Sequence, residues 1–495
     1  MKESVSYYLG IDIGTGSVRV MLIDENGKAL GIASSEYPMH YPAPGHVEQD
    51  PEDWYRGAAE AVRRVIAESG IDSVAVAGIG ICGTAHAPIL LDAHKRILRP
   101  AILWSDQRSN REVQELKNEA EKEIRSLTRN DINCTWTLPQ LLWVRKHEPD
   151  TFAKINHLLI SKDYMIYRLT QHMITDITSA ASSLMLNASE RIWDERLIGI
   201  AKLRKNIFPE ILDPLQVVGN LSDETSQVFG LSTNTRVAAG CLDSAAELVG
   251  LGTIDESVGT IRLGSAGAVT TLKKHGKYLR NCLTYPHPVS PYWYHQAGTS
   301  SCTASLAWGR NLFSRSGHSL SYSRIDALSS QAPPGCDGLL FHPFLLGERT
   351  PFWNSKLRGG FNGITPLHGK KHFFRAIEEG VAFSLRDCLA DVEWKGVTEA
   401  RICGGGAKSQ FWVKIIADVL GFPVVRMEHY DASAYGAALI AVAAVTGEEL
   451  REIIKTRVRK KNRINLDKKR HNFYMTVYER YRNLSEHMVD FYQIE

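Results

Sequence analysis

Two stretches of this chain carry one pattern, and any fold must accommodate both. Residues 8–24, YLGIDIGTGSVRVMLID, set apolar arms of Ile, Leu, Val and Met on either side of Gly14, Thr15, Gly16 and Ser17. β-branched arms around small turn residues predict a pair of short strands joined by a tight glycine turn. Residues 257–271, SVGTIRLGSAGAVTT, repeat the pattern around Gly264 and Ser265. Gly14 and Gly264 stand roughly 250 residues apart, about half the chain, so the spacing predicts duplication of one α/β unit. At 495 residues the chain is also too long for one core. We expect two domains, divided as residues 1–248 and 249–495.

Turns of this kind suit phosphate. Successive backbone N–H groups and small hydroxyls point into one concavity, and a larger side chain would fill the space the anion needs. Asp12 precedes the first turn, and a carboxylate beside a phosphate requires a cation such as Mg²⁺ between the two charges. An ordinary hairpin with an Asp at its mouth has the same sequence pattern. A third glycine turn, Gly404 to Ala407 with Gly405 and Gly406 inside it, follows a short apolar strand in the second half. One turn in each half plus this third one suits a nucleotide clasped between two domains. No GxxxxGK[ST] occurs, so the P-loop solution to phosphate binding is absent.

Composition removes several other classes. Hydrophobic residues make up 44% and charged residues 23% of the chain, as in a water-soluble globular protein. A formal net charge of +3 gives no reason to expect nucleic acid or a membrane surface as partner. The longest apolar runs, such as residues 434–445, are too short to span a bilayer. The first residues, MKESVSYY, lack the apolar core of a signal peptide, so the expected location is cytoplasmic. The eight cysteines are scattered without a CxxC pair or zinc spacing, as expected of reduced, buried small hydrophobes. The basic stretch 457–471 reads as a solvated connector.

Between the turns, Asp50-Pro51-Glu52-Asp53 has the cap, first-turn proline and early acids of a helix start, and residues 71–82 read as a strand. Gly78, Gly80 and Gly83 form a literal GxGxxG, but a dinucleotide fold needs a helix next, and residues 86–92 look like another strand. Residues 176–183, DITSAASS, read as a polar loop, either ligand-facing or a plain connection. Asp243 lies among small residues at the expected domain boundary. A carboxylate there can take a proton from an attacking hydroxyl, or simply cap the helix that follows. His86 ends a strand on the expected cleft side, suited to sugar hydroxyls or to a structural role. The segment 347–351, GERTP, reads as a functional loop or, preferably, as a buried Glu348–Arg349 pair holding the second domain.

Taken together these segments closely resemble the FGGY family of carbohydrate kinases over nearly the whole chain. The matching pieces include GIDIGTGSVR, PGHVEQDPEDWY, GIGICGTAH, LRPAILWSDQR, LLISKDYMIYRLT, TDITSAASSLML, AGCLDSAAELVG, IRLGSAG, LLFHPFLLGERTPFW, AIEEGVAFSLRD, ICGGGAKSQFW and YGAALIA, in family order and spacing. The resemblance implies an α/β fold of two ribonuclease-H-like domains of the actin and hexokinase superfamily, with ATP and sugar in the cleft between them. It implies Asp243 as catalytic base. It also implies Gly14, Thr15, Gly16, Ser17 and Arg19, with Gly264 and Ser265, as phosphate-binding turns, and Gly405, Gly406 and Ala407 as the adenosine-side loop. Ala85, His86 and Ser244 fall where the family holds its sugar; Asp12 would hold Mg²⁺ through water.

Within the family the PGHVEQDPEDWY segment, His86 and the DxAA run most resemble kinases of xylulose. They imply phosphorylation of D-xylulose to D-xylulose 5-phosphate, with a homodimer as the expected assembly. Ser244 in place of Asn or Gln, Ala85 in place of Met and Gln140 in place of Lys depart from that pattern. Gluconate, ribulose, L-xylulose, erythritol or another polyol therefore stay open as substrates. A non-catalytic actin-like clasp or sugar sensor is the reading from a different class, and Asp243 speaks against it.

Overall fold

A computed structural model of the protein describes residues 5–314 and 319–492. In the first half, strands β1 (Tyr7–Ile13) and β2 (Ser17–Asp24) form the expected hairpin, with Asp12 opposite Arg19, and β3 (Ala29–Glu36) continues it antiparallel. Helix α1 (Pro51–Ser69) starts where the sequence indicates: the Asp50 carboxylate accepts the Glu52 N–H, Pro51 occupies the first turn, and Gly70 ends it at φ 68°. Its buried face, Trp54, Tyr55, Ala58, Ala61, Val62 and Val65, belongs to the same apolar cluster as the inward side chains of β1 and β2. Strand β4 (Val76–Gly83) lies parallel to β1 on the other side. The helices α2 (Ser161–Thr170) and α3 (Ile177–Ala181) follow. Strands β5 (Val217–Asn220), β6 (Arg236–Ala238) and β7 (Cys241–Leu242) then lead into helix α4 (Asp243–Leu251). The sheet order is β5-β6-β4-β1-β2-β3, with β7 also pairing to β4.

The second half repeats the plan. Strands β8 (Val258–Leu263) and β9 (Gly267–Lys273) form the second hairpin. Strands β10 (Leu283–Pro286) and β11 (Trp293–Thr299) extend it, and helices α5 (Thr303–Phe313) and α6 (Lys370–Asp391) cover the sheet. Strand β12 (Glu399–Cys403) runs parallel to β8 as β4 does to β1. Helix α7 (Gln410–Leu420), strand β13 (Val424–Met427), helix α8 (Ala432–Thr446), strand β14 (Lys460–Ile464) and helix α9 (Lys468–Phe491) complete the chain. The order is β10-β11-β9-β8-β12-β13-β14. Each sheet is thus centred on a hairpin whose first strand has a parallel neighbour, the repeat read from the two glycine turns.

Two helices join the halves. α8 is apolar on all sides because it is enclosed on all sides, lying against β1, β4 and α4. A Cβ on Gly10 would stand 1.9 Å from the Ala434 carbonyl, and one on Gly80 would stand 1.9 Å from that of Ala437. In the crossing of α4 and α8, a Cβ on Gly436 would meet the Ala246 carbonyl at 1.8 Å. A backbone this close excludes a side chain at Gly80, and a Cβ on Gly78 would stand 2.6 Å from Val445 Cγ2, so both glycines are explained without a dinucleotide. The division at residue 248 falls inside α4, and α8 returns from the second half to pack on the first sheet.

Three local expectations are corrected. Residues 176–183 are not a loop: Asp176 caps α3, accepting the N–H groups of Thr178 at 2.7 Å and Ser179 at 3.2 Å. The basic stretch 457–471 is no mere connector, since it contains β14 on the edge of the second sheet, where lysine side chains suit an exposed edge. Glu348 and Arg349 form no ion pair. The Glu348 carboxylate accepts from Thr299 Oγ1, Ser384 Oγ and the Ser300 and Arg349 N–H groups, whereas Arg349 donates to the carbonyls of Thr299 and Gly267. All eight cysteines are buried and unpaired. Among the described residues, no helix is long and apolar enough to cross a membrane.

Candidate active site

The first glycine turn is braced from behind and open in front. Gly14 N–H donates to the Ser17 carbonyl at 3.1 Å, Tyr37 donates its hydroxyl to the Gly14 carbonyl, and Trp104 Nε1–H reaches Thr15 Oγ1 at 3.1 Å. Gln49 holds the Thr15 carbonyl at 2.7 Å. The N–H groups of Thr15 and Gly16 have no protein acceptor among the described residues, and a Cβ on Gly16 would meet nothing within 4 Å. In the second turn the carbonyls of Gly264 and Ser265 accept N–H groups from the start of α5, Thr303 at 2.9 Å and Cys302 at 2.7 Å. The N–H groups of Gly264, Ser265 and Ala266 again have no protein acceptor among the described residues. The third turn packs on the second: a Cβ on Gly404, at φ 84°, would stand 2.6 Å from the Leu263 carbonyl. Arg426 fixes its far side by donating to the carbonyls of Ala407 and Lys408 at 3.0 Å, and the space beside Gly405 is open. Free N–H groups in braced concavities are anion sites without further addition.

Between the turns lies a set of opposed charges. Asp12 ends β1, is only 4% exposed, and has Arg19 at 3.8 Å; Arg19 also reaches Asp431 of the second half at 3.4 Å. Burial raises the Asp12 pKa, with the charges of Arg19 and Arg262 opposing. Asp243 is the first residue of α4 and half-buried. Leu242, not Asp243, occupies the cap position, and the Asp243 carboxylate accepts the Ser244 N–H at 2.6 Å. Burial lifts its pKa to about 6; Arg262 lowers it, and Asp12 and Glu247 raise it. Such a carboxyl is ionised at neutral pH and basic enough to accept a proton. Among the described residues no group of three or more His, Cys, Asp or Glu side chains forms a metal cage. The lone Asp12 carboxylate between two phosphate-type turns instead fits a hard cation ligated mainly by water and phosphate oxygens.

The third component is a buried aromatic cluster. His86 is 3% exposed in a left-handed turn at φ 72°. Its Nδ1 lies 2.8 Å from the Ser182 carbonyl, which can only accept, so Nδ1 carries the proton and Nε2 accepts the Tyr285 hydroxyl at 3.1 Å. Burial depresses its pKa to about 4, leaving a neutral ring. The edge of Trp136 packs on it at 4.7 Å between centroids. Tyr294 stands 5.3 Å from Tyr285, and its hydroxyl meets Ser244 Oγ at 2.9 Å. Ala85 is partly buried beside this group. Tyr285 and Tyr294 belong to β10 and β11, so the second half closes over a cluster built on the first.

Helix α3 ties base and cluster together. Thr178 Oγ1 accepts the Leu242 N–H at 2.9 Å, holding the Cys241–Leu242 peptide one residue ahead of Asp243, while Ser182 at the other end holds His86. Thr178 in turn donates to Asp176 at 2.6 Å, and Asp176 pairs at 3.1 Å with Lys162, which also meets Asp163 at 2.6 Å. All three charged groups are inaccessible to solvent, so the bracket is anchored in the core.

Sequence reasoning named Asp12, Asp243, Ser244, His86 and the turns, and the fold brings them to one cleft. It missed Tyr285, Tyr294, Arg262, Glu247, Trp104 and Ser182. Ser182, Trp104, Arg262 and Glu247 lay in segments that had drawn notice, DITSAASS, LWSDQR, IRLGSAG and AGCLDSAAELVG, but as neighbours of other residues. The alternating aromatics of YPHPVSPYWY were the available signal for the two tyrosines.

Comparison with known proteins agrees with this geometry. Residues 7–250 match the N-terminal domain model of the FGGY family of carbohydrate kinases, and residues 261–445 match the C-terminal one. A xylulose kinase of Bacillus subtilis is 30% identical over 492 residues, 98% of either chain. Solved structures of a ligand-bound xylulose kinase and a gluconate kinase, both from Lactobacillus acidophilus, superpose with a TM-score of 0.91 over 99% of each chain, at 25% and 26% identity. The two α/β halves are those of the actin and hexokinase fold, and the chain belongs to the FGGY family of carbohydrate kinases.

Proposed function

We propose that the protein transfers the γ-phosphoryl group of ATP to the terminal hydroxyl of D-xylulose, giving D-xylulose 5-phosphate and ADP. The observation that carries this reading is the convergence of one basic carboxylate, Asp243, with two turns of unsatisfied N–H groups and an aromatic, hydrogen-bonding cluster. Asp243 orients the attacking hydroxyl and accepts its proton as the new O–P bond forms and the bond from phosphorus to the departing ADP oxygen breaks. The N–H groups of Thr15, Gly16, Gly264, Ser265 and Ala266, with Ser17 and Arg19 beside them, hold the phosphate oxygens; Gly405, Gly406 and Ala407 carry the adenosine side. Asp12 would hold Mg²⁺ through water, and the cation would supply neutralisation of charge on the transferring phosphate. Neutral His86, Ser244 and the space left by Ala85 receive the sugar.

The test is coupled ADP release over xylulose, ribulose, gluconate, erythritol and glycerol at matched concentration. Xylulose should give the highest kcat/KM by at least about tenfold, since a pocket built to hydrogen-bond hydroxyls rejects substrates that leave its polar groups unpaired. Preference for gluconate, the substrate in the name of one solved relative, would overturn the choice of sugar.

A further inference from the structure

The duplicated hairpin carries opposite charges at equivalent positions. Asp12 stands two residues before Gly14, and Arg262 stands two residues before Gly264. Both face a cysteine across the parallel strand pair, Asp12 opposite Cys82 and Arg262 opposite Cys403. The first hairpin thus offers the cleft a carboxylate, suited to a cation, and the second offers a guanidinium, suited to an anion. The stem of Arg262 lies along the second turn, since a Cβ on Gly264 would stand 3.6 Å from its Cγ and 3.7 Å from its Cδ.

The guanidinium is tethered at one edge only. Arg262 Nε–H donates to Glu247 at 2.6 Å. Glu247 is four residues after Asp243 on α4, hence on the same helix face. Nη1 and Nη2 have no hydrogen-bond partner among the described residues, and the side chain keeps 28% of its surface open. Its charge acts on Asp243 and Asp12, and it lies near Arg19 and Arg349. An arginine held by Nε keeps four N–H groups in a planar fork, the arrangement that grips phosphoryl oxygens in pairs.

We infer that Arg262 is a catalytic residue of the kinase: its Nη groups bind the oxygens of the γ-phosphoryl group during transfer, with Glu247 as the positioning residue that aims them. This rests on the kinase reading given above. As the bond to the sugar oxygen forms and that to the ADP oxygen breaks, negative charge spreads over the three equatorial oxygens. A fixed cation between Asp243 and the Gly264 turn stabilises that charge without reorganising.

The experiment compares wild type, Arg262→Met, Arg262→Lys, Glu247→Gln and Asp243→Asn in sugar-dependent ADP release, with sugar and ADP affinities measured by calorimetry. Arg262→Met should lower kcat on the order of 10² to 10³-fold while sugar and ADP affinities change less than about threefold. Arg262→Lys should keep part of the rate, and Glu247→Gln should lose roughly tenfold or more in kcat. If the Met variant fails to fold, Arg262→Ala assayed with added guanidinium chloride replaces it, and rescue of the rate supports the assignment. Either lysine and methionine variants within about twofold of wild type, or an equal loss of sugar affinity and rate, overturns the role of Arg262. In those cases an inactive Asp243→Asn leaves the kinase reading standing. A wild type that releases no ADP with any sugar overturns that reading itself.

Discussion

A carboxylate has to be basic to take a proton from an alcohol and ionised to begin. Asp243, with its pKa at about 6, meets both conditions at neutral pH. The groups facing it are Arg262 from β8, which lowers the pKa, and Asp12 from β1 and Glu247 from its own helix, which raise it. The sign for activity follows: protonation removes the base, so kcat/KM for the sugar should be half-maximal near pH 6, level off above about pH 7 and fall about tenfold per unit below about pH 5. A profile level down to pH 4.5 would contradict the assignment. At this scale legibility was uneven. Asp243 and Ser244 were readable because they are adjacent and lie in a motif of small residues. Tyr294, which holds Ser244, lies 50 residues further along the chain in the other half, and no local pattern links the two. Arg262 was unreadable for the same reason, since its meaning depends on Glu247 and on the turn folded against its stem.

Helix α3 is only five residues long, and its small polar residues give no amphipathic period, which is why DITSAASS read as a loop. What makes it a helix is the Asp176 cap, and Asp176 is itself held by the buried Lys162. The element's role is mechanical: one end fixes the Cys241–Leu242 peptide just ahead of Asp243 and the other fixes His86. Thr178→Val removes the hydroxyl that accepts the Leu242 N–H and leaves that buried donor unpaired, at a cost of about 1–3 kcal/mol. The variant should lose on the order of tenfold in kcat, with Thr178→Ser restoring most of it. Equal activity of the valine and serine variants, measured with the thermal melts of both, would show that α3 supports only the fold.

Across the whole molecule the duplication was legible because two glycine turns stand half a chain apart in one chain. Each proved to centre a sheet with the same hairpin-plus-parallel-strand plan. The crossing of α4 and α8 was not legible. Gly250 and Gly436 carry no local signal for it, yet a Cβ on either would stand within 2.0 Å of a carbonyl of the facing helix, so glycine there lets the two backbones touch. That contact joins the two halves, and Arg19–Asp431 and Tyr285–His86 are further links between them. The proposed phosphate turns, base and sugar-binding residues therefore come from both halves, and on that proposal closure of the halves would exclude water from the reacting phosphate. Sugar phosphorylation through Asp243 is decided by xylulose-dependent ADP release from wild type and Asp243→Asn, with xylulose binding measured on both. Binding should be retained and kcat should fall on the order of 10² to 10⁴-fold or more; near-normal turnover by Asp243→Asn would remove Asp243 as the base.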